Sequence, residues 1–386
     1  MIPYGHQDIN QDDINAVVEV LHSDWLTQGP VVSRFEQAVA DYCEAGYGVV
    51  VNSATSALHI ACLALDLGPG DWLWTSPNTF VASANCGVYC GAHVDFVDID
   101  PHTYNISVEC LEEKLRQAEI DNRLPKVVIP VHFAGQSCDM VAIYALGQRY
   151  RFRIIEDASH AIGASYRGNR VGSGCYSDIT VFSFHPVKII TTGEGGVALT
   201  HNAELAERMQ RFRTHGITSK PDEMQSRPAD EIWNYQQIDI GHNYRMTDLQ
   251  AALGISQLAR IDEFVRRRHE IAQRYDAAFT KLPVIVPWQH PDTWSSYHLY
   301  PIRVRESLCG KTQRHMYDAL LKAGIGVNLH YIPVYRQPFY AAMGFKIGYC
   351  PEAESYHREV ISLPIYASLT EQQQDEIIRT MTVLFQ

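Results

Sequence analysis

Residues 181–196 read VFSFHPVKIITTGEGG and carry one lysine, Lys188, between an apolar run and a glycine-rich turn. The apolar residues at the start of this stretch predict a buried strand. Burying an ammonium group without a partner costs several kcal/mol. Lys188 therefore either extends its amine to solvent, or supplies a neutral, nucleophilic amine to a site at the end of the strand.

Short apolar runs alternate with amphipathic stretches throughout the first half of the chain. The runs predicted as strands are 47–53, 71–76, 93–100, 126–133, 153–159 and 177–184. Strands that alternate with helices indicate βαβ units and a mostly parallel sheet covered on both faces. The fold class predicted from this pattern is α/β.

The pattern also predicts how the 386 residues are divided between domains. We expect a large cofactor-binding domain over 1–245, whose N-terminal arm (1–25) packs on the smaller domain. Residues 246–279 predict one connecting helix with Thr247 as its N-cap, after a long polar loop at 215–240. Residues 280–386 predict a small α+β domain, with strands at 297–305 and 324–333 and helices at 311–324 and 369–385.

Composition excludes several classes of partner. The formal net charge of −12 argues against nucleic acid and anionic membranes, which favour basic surfaces. The N-terminus has no signal-peptide pattern, and no apolar stretch approaches the roughly 20 residues of a membrane helix, so we expect a cytoplasmic protein. The nine scattered cysteines indicate reduced thiols. Cys86 and Cys90 have no second Cys/His pair at zinc-ligand spacing, so we predict no metal site.

Three groups of chemically useful residues follow predicted strands, where open α/β sheets bind ligands. The first is NSATSAL (52–58), whose hydroxyls and helix N-terminus suit a phosphate group or simply cap the helix. The second is Asp157, which either caps the next helix or pairs with a buried cation such as a protonated pyridine nitrogen. The third is Lys188. A phosphate site, an acid and a lysine on successive strand ends are what pyridoxal phosphate enzymes require.

Several longer stretches carry a resemblance to a known family. The sequences LTQGP (26–30), NSATSALH (52–59), TSPNTFVASAN (75–85), EDASHAIG (156–163), FSFHPVKIITTGEGG (182–196) and NYRMTDLQAALG (243–254) run nearly from end to end of the chain. Together they resemble the DegT/DnrJ/EryC1/StrS family of sugar aminotransferases. The resemblance implies an aspartate aminotransferase-like fold type I, pyridoxal 5'-phosphate as cofactor, and a homodimer.

The same resemblance implies roles for individual residues. Lys188 would bind the cofactor aldehyde and act as acid and base, and Asp157 would pair with the pyridine nitrogen. His160 would lie near the phenolic oxygen of the ring, and Phe80 would stack on it. The phosphate group would be held by Ala54, Thr55, Ser183 and, from the partner subunit, Asn243.

The stretches IPYGHQDI, WLTQGP, VHFAGQSCDM and HYIPVY are most similar to family members of pseudaminic acid biosynthesis. The implied reaction transfers an amino group from L-glutamate to C4 of UDP-2-acetamido-2,6-dideoxy-β-L-arabino-hexos-4-ulose. The substrate contacts implied are Tyr4, Thr27, Gln28, His330 and Tyr331.

Four alternatives stay open at the level of sequence. One is an aminotransferase for another nucleotide-linked 3- or 4-keto sugar, and another is a pyridoxal-type sugar dehydratase, although the deoxygenating relatives carry histidine in place of Lys188. An amino-acid aminotransferase could use Arg303 or Arg305 to bind a carboxylate. A cofactor-binding regulator would lack enzymatic activity, but no DNA-binding motif accompanies the core.

Overall fold

A seven-stranded sheet forms the centre of the larger domain in a computed structural model that describes residues 1–226, 228 and 234–386. Its strands are β1 (Tyr47–Val51), β2 (Trp72–Thr75), β3 (His93–Phe96), β4 (Val127–Ile129), β5 (Arg153–Asp157), β8 (Ile179–Ser183) and β9 (Gly196–Thr200). Two short strands, β6 (Ser165–Tyr166) and β7 (Asn169–Arg170), form a hairpin between β5 and β8. The order in the large sheet is β1-β9-β8-β5-β4-β2-β3, and β9 alone runs antiparallel to its neighbours. The predicted mostly parallel sheet is confirmed.

Helices cover both faces of this sheet. They are α1 (Gln11–Leu21), α2 (Pro30–Cys43), α3 (Ala54–Ala64), α4 (Ala82–Tyr89), α5 (Val108–Ile120), α6 (Met140–Tyr150) and α7 (Ala203–Arg213), with a 3₁₀ turn at Phe133–Gly135. Alternate residues of β1 illustrate the two layers, because Val49 and Val51 pack in one hydrophobic cluster and Val50 packs in another. In the described residues no helix is long and apolar enough to span a membrane.

The connection between the domains is two helices, α8 (Asp248–Leu258) and α9 (Ile261–Phe279), and not the single helix predicted. Thr247 is the N-cap of α8, as expected, and forms a capping box with Gln250. The helix ends before Arg260, whose guanidinium binds Asp8 at 2.7 Å and Asp13 at 2.6 Å. No glycine or proline marks this break, so the sequence pattern could not reveal it.

The polar stretch 215–240 contains a pair of short strands, β10 (Ile217–Thr218) and β11 (Gln236–Gln237). Part of the loop predicted there, residues 227 and 229–233, lies outside the described residues.

The smaller domain is built on a three-stranded antiparallel sheet of order β12-β14-β15. Its elements are β12 (Val284–Ile285), β13 (Thr293–Trp294), β14 (Tyr300–Val304), α10 (Glu306–Cys309), α11 (Gln313–Lys322), a 3₁₀ turn (Val334–Arg336), α12 (Pro338–Ala341), α13 (Pro351–Glu359), β15 (Val360–Leu363) and α14 (Glu371–Leu384). Strand β13 pairs with β6 of the large domain.

The N-terminal arm contacts both parts of the molecule. Ile2 packs in the hydrophobic core of the small domain and exchanges backbone hydrogen bonds with Gly324 and Gly326. Helix α1 packs instead against α8.

The strand predicted at 324–333 is wrong. This segment forms only isolated bridges, from Ile325 to Ile2 and from Asn328 to Ser362. Beyond Asn328 two backbone N–H groups donate to the large domain: the Tyr331 N–H donates to Asn78, and the Val334 N–H donates to Pro77. The segment is therefore a crossing between the domains.

Candidate active site

The carboxyl ends of β1, β5 and β8 meet at one edge of the sheet and open into a cavity of about 920 Å³. Its wall includes the start of α3, the loop after β2, and the crossing segment of the small domain. Ten of the predicted site residues line it: Tyr4, Ala54, Thr55, Phe80, Asp157, His160, Ser183, Lys188, His330 and Tyr331.

Lys188 lies in the turn that follows β8, five residues beyond Ser183. Its ammonium group is partly buried and makes no hydrogen bond or ion pair with any described residue. Burial lowers the pKa of Lys188 to about 8, and the negative charge of Asp157 opposes that shift. About a tenth of the amine is consequently neutral, and nucleophilic, at pH 7, far more than for an unperturbed lysine.

Asp157 ends β5 and is 5% exposed. Its Oδ2 accepts a hydrogen bond from Ser83 Oγ at 2.6 Å, and its Oδ1 accepts from the backbone N–H and Oγ of Ser159 at 3.2 and 2.6 Å. An ionised carboxylate has about four acceptor positions, so one remains for a cationic donor in the cavity.

The N-terminus of α3 forms a cup of unpaired donors. Ser53 caps the helix by accepting the N–H of Ser56 at 3.1 Å, while the N–H groups of Ala54 and Thr55 have no acceptor in the described chain. Gly196 pairs with the ends of both β1 and β8, and a Cβ there would lie 2.6 Å from the Ala54 nitrogen. The glycine thus lets the helix begin directly on the strand ends, where free N–H groups suit an anion.

Two side chains complete the cup and its entrance. Ser183 accepts a long hydrogen bond of 3.5 Å from the His185 N–H, so its own hydroxyl hydrogen is available to a ligand. Phe80 lines the cavity with 60% of its surface exposed, which excludes a role as an ordinary core residue.

His160 is buried and neutral. Burial, together with the charge of Lys188, holds its pKa well below the usual value. Its Nδ1 accepts the N–H of Ala134 at 3.3 Å, which assigns the ring hydrogen to Nε2, and Nε2 lies 3.2 Å from the hydroxyl of Tyr331. With Tyr331 accepting this bond, its own O–H is left to donate into the cavity.

His330 and Tyr4 form the wall contributed by the small domain and the N-terminal arm. His330 Nδ1 lies 2.8 Å from Ser362 Oγ, and the Tyr4 ring centroid is 5.6 Å from that of His330. Burial and the charge of Lys188 lower the pKa of His330 to about 3, so this ring is neutral too.

Three predicted residues do not line the cavity of their own chain. Asn243 is exposed, and its backbone carbonyl accepts a 3.5 Å hydrogen bond from Asn52. Thr27 and Gln28 are also exposed, in the loop before α2, where Thr27 forms a bridge with Thr247.

Other residues at the site had not been predicted. Ser159 follows Asp157 by two positions, a spacing typical of a local Asx turn, so a signal existed. No sequence signal marks Ser83 or His298, because their contacts join segments that lie far apart in the chain. The Nδ1 atom of His298 is buried and has no hydrogen-bond partner in the part of the chain that the structure describes, and the His298 ring centroid lies 4.4 Å from that of His160.

One earlier alternative loses its structural basis. Arg303 and Arg305 both bind Glu359 and do not line the cavity, so they are not placed to bind a substrate carboxylate there. Among the described residues, no three His, Cys, Asp or Glu side chains are grouped as a metal site requires.

Comparisons with known proteins give the family of this chain and several of its relatives. The sequence model that describes the DegT/DnrJ/EryC1/StrS aminotransferase family matches residues 7–382 of this chain. The spore coat polysaccharide biosynthesis protein SpsC of Bacillus subtilis is 39% identical, over 98% of this chain and 96% of that protein. A UDP-4-amino-4,6-dideoxy-N-acetyl-beta-L-altrosamine transaminase of Campylobacter jejuni is 38% identical, over 96% of this chain and 93% of its own. The structure of Helicobacter pylori PseC, an aminotransferase of pseudaminic acid biosynthesis, superposes with a TM-score of 0.88 at 31% identity and covers 100% of this chain and 99% of that one.

Proposed function

The chain belongs to the DegT/DnrJ/EryC1/StrS aminotransferase family, and from this we propose that it transfers the amino group of L-glutamate to C4 of UDP-2-acetamido-2,6-dideoxy-β-L-arabino-hexos-4-ulose. The class of enzyme is established by the family: the protein is a pyridoxal phosphate-dependent sugar aminotransferase. The proposal concerns the particular sugar, the donor and the roles of the residues.

The residues of the cavity fit pyridoxal phosphate on three counts. Among the described residues the amine of Lys188 has no partner and the donors at the start of α3 are unpaired, while the carboxylate of Asp157 keeps one acceptor position free. When bound, this cofactor supplies a protonated pyridine ring that withdraws electrons from the reacting carbon.

Lys188 is the proposed catalytic residue. As a neutral amine, Nζ can take the proton from Cα of glutamate, and as an ammonium it can return a proton to C4 of the sugar. Its pKa of about 8 suits both directions, because neither protonation state is rare near neutral pH. Asp157, held by three hydrogen bonds, keeps the ring nitrogen cationic.

The remaining residues are proposed to bind and orient. The N–H groups of Ala54 and Thr55 and the hydroxyl of Ser183 hold the phosphate group. Phe80 covers one face of the ring, and His160 lies towards its phenolic oxygen. Tyr4, His330 and Tyr331 line the space left for substrate.

We also propose a homodimer in which Asn243 reaches the phosphate group in the second copy. Its exposure, and its position outside the cavity of its own chain, support this role. Thr27 and Gln28 are exposed in the same way, so we propose that they contact substrate across the same interface.

The observation that supports this particular sugar is the similarity to the C. jejuni transaminase, which extends over 96% of this chain. The test is incubation of the protein with pyridoxal phosphate, L-glutamate and each of two UDP-linked 4-keto-6-deoxy-N-acetylhexosamines, one L-configured and one D-configured, followed by product mass. We expect amination of the L-configured sugar. Amination of the D-configured sugar alone would instead favour another nucleotide-linked keto sugar as substrate.

A pair of lysine variants separates catalysis from folding. Lys188→Ala is expected to abolish turnover, whereas Lys281→Ala, at an exposed position that does not line the cavity, is expected to leave it unchanged. Turnover by Lys188→Ala would contradict the assignment of the catalytic residue.

A further inference from the structure

His298 is a buried polar side chain in the wall of the cavity. It is 4% exposed, and neither nitrogen of its ring makes a hydrogen bond with a described residue. The other histidines of the wall, His160, His185 and His330, each bond to a group of the chain through Nδ1. Because buried polar groups are nearly always hydrogen-bonded, the nitrogens of His298 indicate a partner that a ligand supplies.

The backbone that precedes His298 is strained. Tyr297 has a φ of 47°, in the left-handed region that contact between Cβ and the carbonyl oxygen disfavours for residues other than glycine. The Tyr297 N–H donates to Ser295 Oγ at 3.0 Å. Residues strained in this way cluster at ligand sites, where the surrounding structure holds a side chain in an otherwise unfavourable position. The strain at Tyr297 therefore supports a functional role for the residue that follows it.

A buried arginine of helix α9 holds this turn in place. Arg268 is 2% exposed, and its guanidinium donates to the carbonyl groups of Tyr297 at 3.1 Å, His298 at 3.3 Å and Ile365 at 2.9 Å. Hydrogen bonds from a charged donor are roughly twice as strong as those between neutral groups. The guanidinium therefore fixes the backbone at His298 before any ligand binds.

The large domain holds the same turn from its other side. The Ser296 N–H donates to the Gly135 carbonyl at 3.1 Å, and the Ser296 hydroxyl donates to the His160 carbonyl at 2.7 Å. The ring of His298 lies beside that of His160, with the two centroids 4.4 Å apart. His160 in turn bonds to Tyr331, so His298 belongs to the part of the wall that lines the space left for substrate.

The ring of His298 is neutral. Burial, together with the charges of Lys188 and Arg268, holds its pKa well below the usual value. A neutral imidazole has one N–H donor and one acceptor nitrogen, and it brings no positive charge. It therefore suits an uncharged hydroxyl or amide group better than a carboxylate or a phosphate.

We propose that His298 binds the keto sugar by hydrogen bonding to one of its uncharged polar groups, the hydroxyl of the hexose ring or the acetamido group. This inference rests on the proposed function, which supplies the sugar. The carboxylates of glutamate are charged, so the binding of glutamate should depend little on His298. The residue thus acts on the second substrate and not on the first.

The two half-reactions test this difference. Conversion of the bound cofactor by glutamate, and its regeneration by the keto sugar, are each followed spectroscopically at varied substrate concentration. His298→Leu is expected to raise the half-saturating concentration of the keto sugar about 5- to 100-fold and to change that of glutamate less than about twofold. His315→Leu, at an exposed position on α11, should change neither. An unchanged value for the keto sugar, or an equal rise for glutamate, would overturn the proposal.

Amide variants separate hydrogen bonding from size. Asparagine and leucine side chains have the same number of non-hydrogen atoms, but only the amide has a donor and an acceptor. His298→Asn, or the longer His298→Gln, should recover part of the affinity that His298→Leu loses. An equal loss in all three variants would show that the ring acts through its shape alone, and the proposal would be wrong.

The stability of the cofactor-free protein gives a measurement independent of turnover. His298→Leu removes no side-chain hydrogen bond between described residues, so it should unfold at about the same urea concentration as the wild type. His330→Leu loses the bond to Ser362 and should unfold at a lower concentration. A loss in His298→Leu as large as that in His330→Leu would show that the ring supports the fold, and would overturn its assignment to the substrate.

The proposed function can fail separately. The wild type is assayed with both keto sugars, and the variants are measured with the sugar that it aminates. Amination by the wild type, with the same half-saturation in His298→Leu, overturns this inference alone. If the wild type aminates neither sugar, the proposed function fails and this inference fails with it.

Discussion

The hydroxyl of Ser83 donates a 2.6 Å hydrogen bond to Oδ2 of Asp157 and so ties helix α4 to the end of strand β5. The Thr79 hydroxyl lies 2.7 Å from the same Ser83 oxygen, and the loop that contains Thr79 also contains Phe80. The acid proposed to hold the ring nitrogen and the aromatic residue proposed to cover the ring are thus positioned by one connected set of contacts.

Ser83→Ala tests this link. Removing one donor from a buried carboxylate is expected to lower the free energy of unfolding by about 1.5–3 kcal/mol and to weaken cofactor binding. Unfolding in urea and titration with pyridoxal phosphate measure the two effects. Ser368→Ala, at an exposed serine with no hydrogen bond among described residues, is the control. Equal stability and affinity for the two variants would remove Ser83 from the site.

The pKa of Lys188 predicts how the cofactor-free protein reacts with pyridoxal phosphate. Because the neutral amine attacks the aldehyde and its pKa is about 8, the rate of attachment should rise about tenfold per pH unit below that value and level off above it. An unperturbed lysine would keep gaining reactivity up to about pH 10. Stopped-flow absorbance over this range checks the profile, and borohydride reduction followed by peptide mapping confirms Lys188 as the residue modified. A profile still rising above pH 9 would show that burial does not lower this pKa.

Burial of the Lys188 amine also makes the free energy of unfolding depend on pH. The pKa of Lys188 in the folded chain lies below its unfolded value, so the contribution of this group to stability is lowest below pH 8 and recovers as the pH rises towards 10.5. Lys188→Met should therefore unfold at a higher temperature than the cofactor-free wild type at pH 6.5, and the difference should shrink as pH increases. Calorimetry at several pH values measures it, and a pH-independent difference would contradict the assigned cause.

Gly196→Ala tests the close approach beneath the phosphate cup. The new Cβ would lie 2.6 Å from the Ala54 nitrogen, so the start of α3 must move away from the ends of β1 and β8. We expect a loss of about 1–3 kcal/mol in the free energy of unfolding and a weaker affinity for pyridoxal phosphate. Gly68→Ala is the matched control, because a Cβ there meets no atom within 4 Å. Affinity unchanged in Gly196→Ala would mean that the cup does not bind the phosphate.

The sequence was sufficient to predict which residues of one chain meet at the sheet edge. Residues that follow parallel strands emerge at a common edge, so Asp157, Ser183 and Lys188 could be grouped from strand order alone. It was insufficient wherever contacts join distant segments. Ser83 binds Asp157 across 74 positions, and nothing in its neighbourhood indicates that contact.

The two incorrect predictions of secondary structure also involve contacts between distant segments of the chain. Residues 324–333 have the apolar content of a strand, yet the Tyr331 N–H donates to Asn78 of the large domain, and the Val334 N–H just beyond the segment donates to Pro77. At the helix break, Arg260 binds the carboxylates of Asp8 and Asp13, which lie 252 and 247 positions away in the chain. Local pattern carries no information about such partners.

The pair formed by His160 and Tyr331 provides the last test. Since Nδ1 of His160 accepts the Ala134 N–H, its Nε2–H donates to Tyr331 and would lose its acceptor in Tyr331→Phe. A buried donor left unpaired costs about 1–3 kcal/mol, which should appear in the free energy of unfolding. Tyr317→Phe, whose hydroxyl makes no hydrogen bond among the described residues, should cost little. A double-mutant cycle with His160→Phe isolates the pair: a coupling energy near zero would show that the two side chains do not hold each other in place.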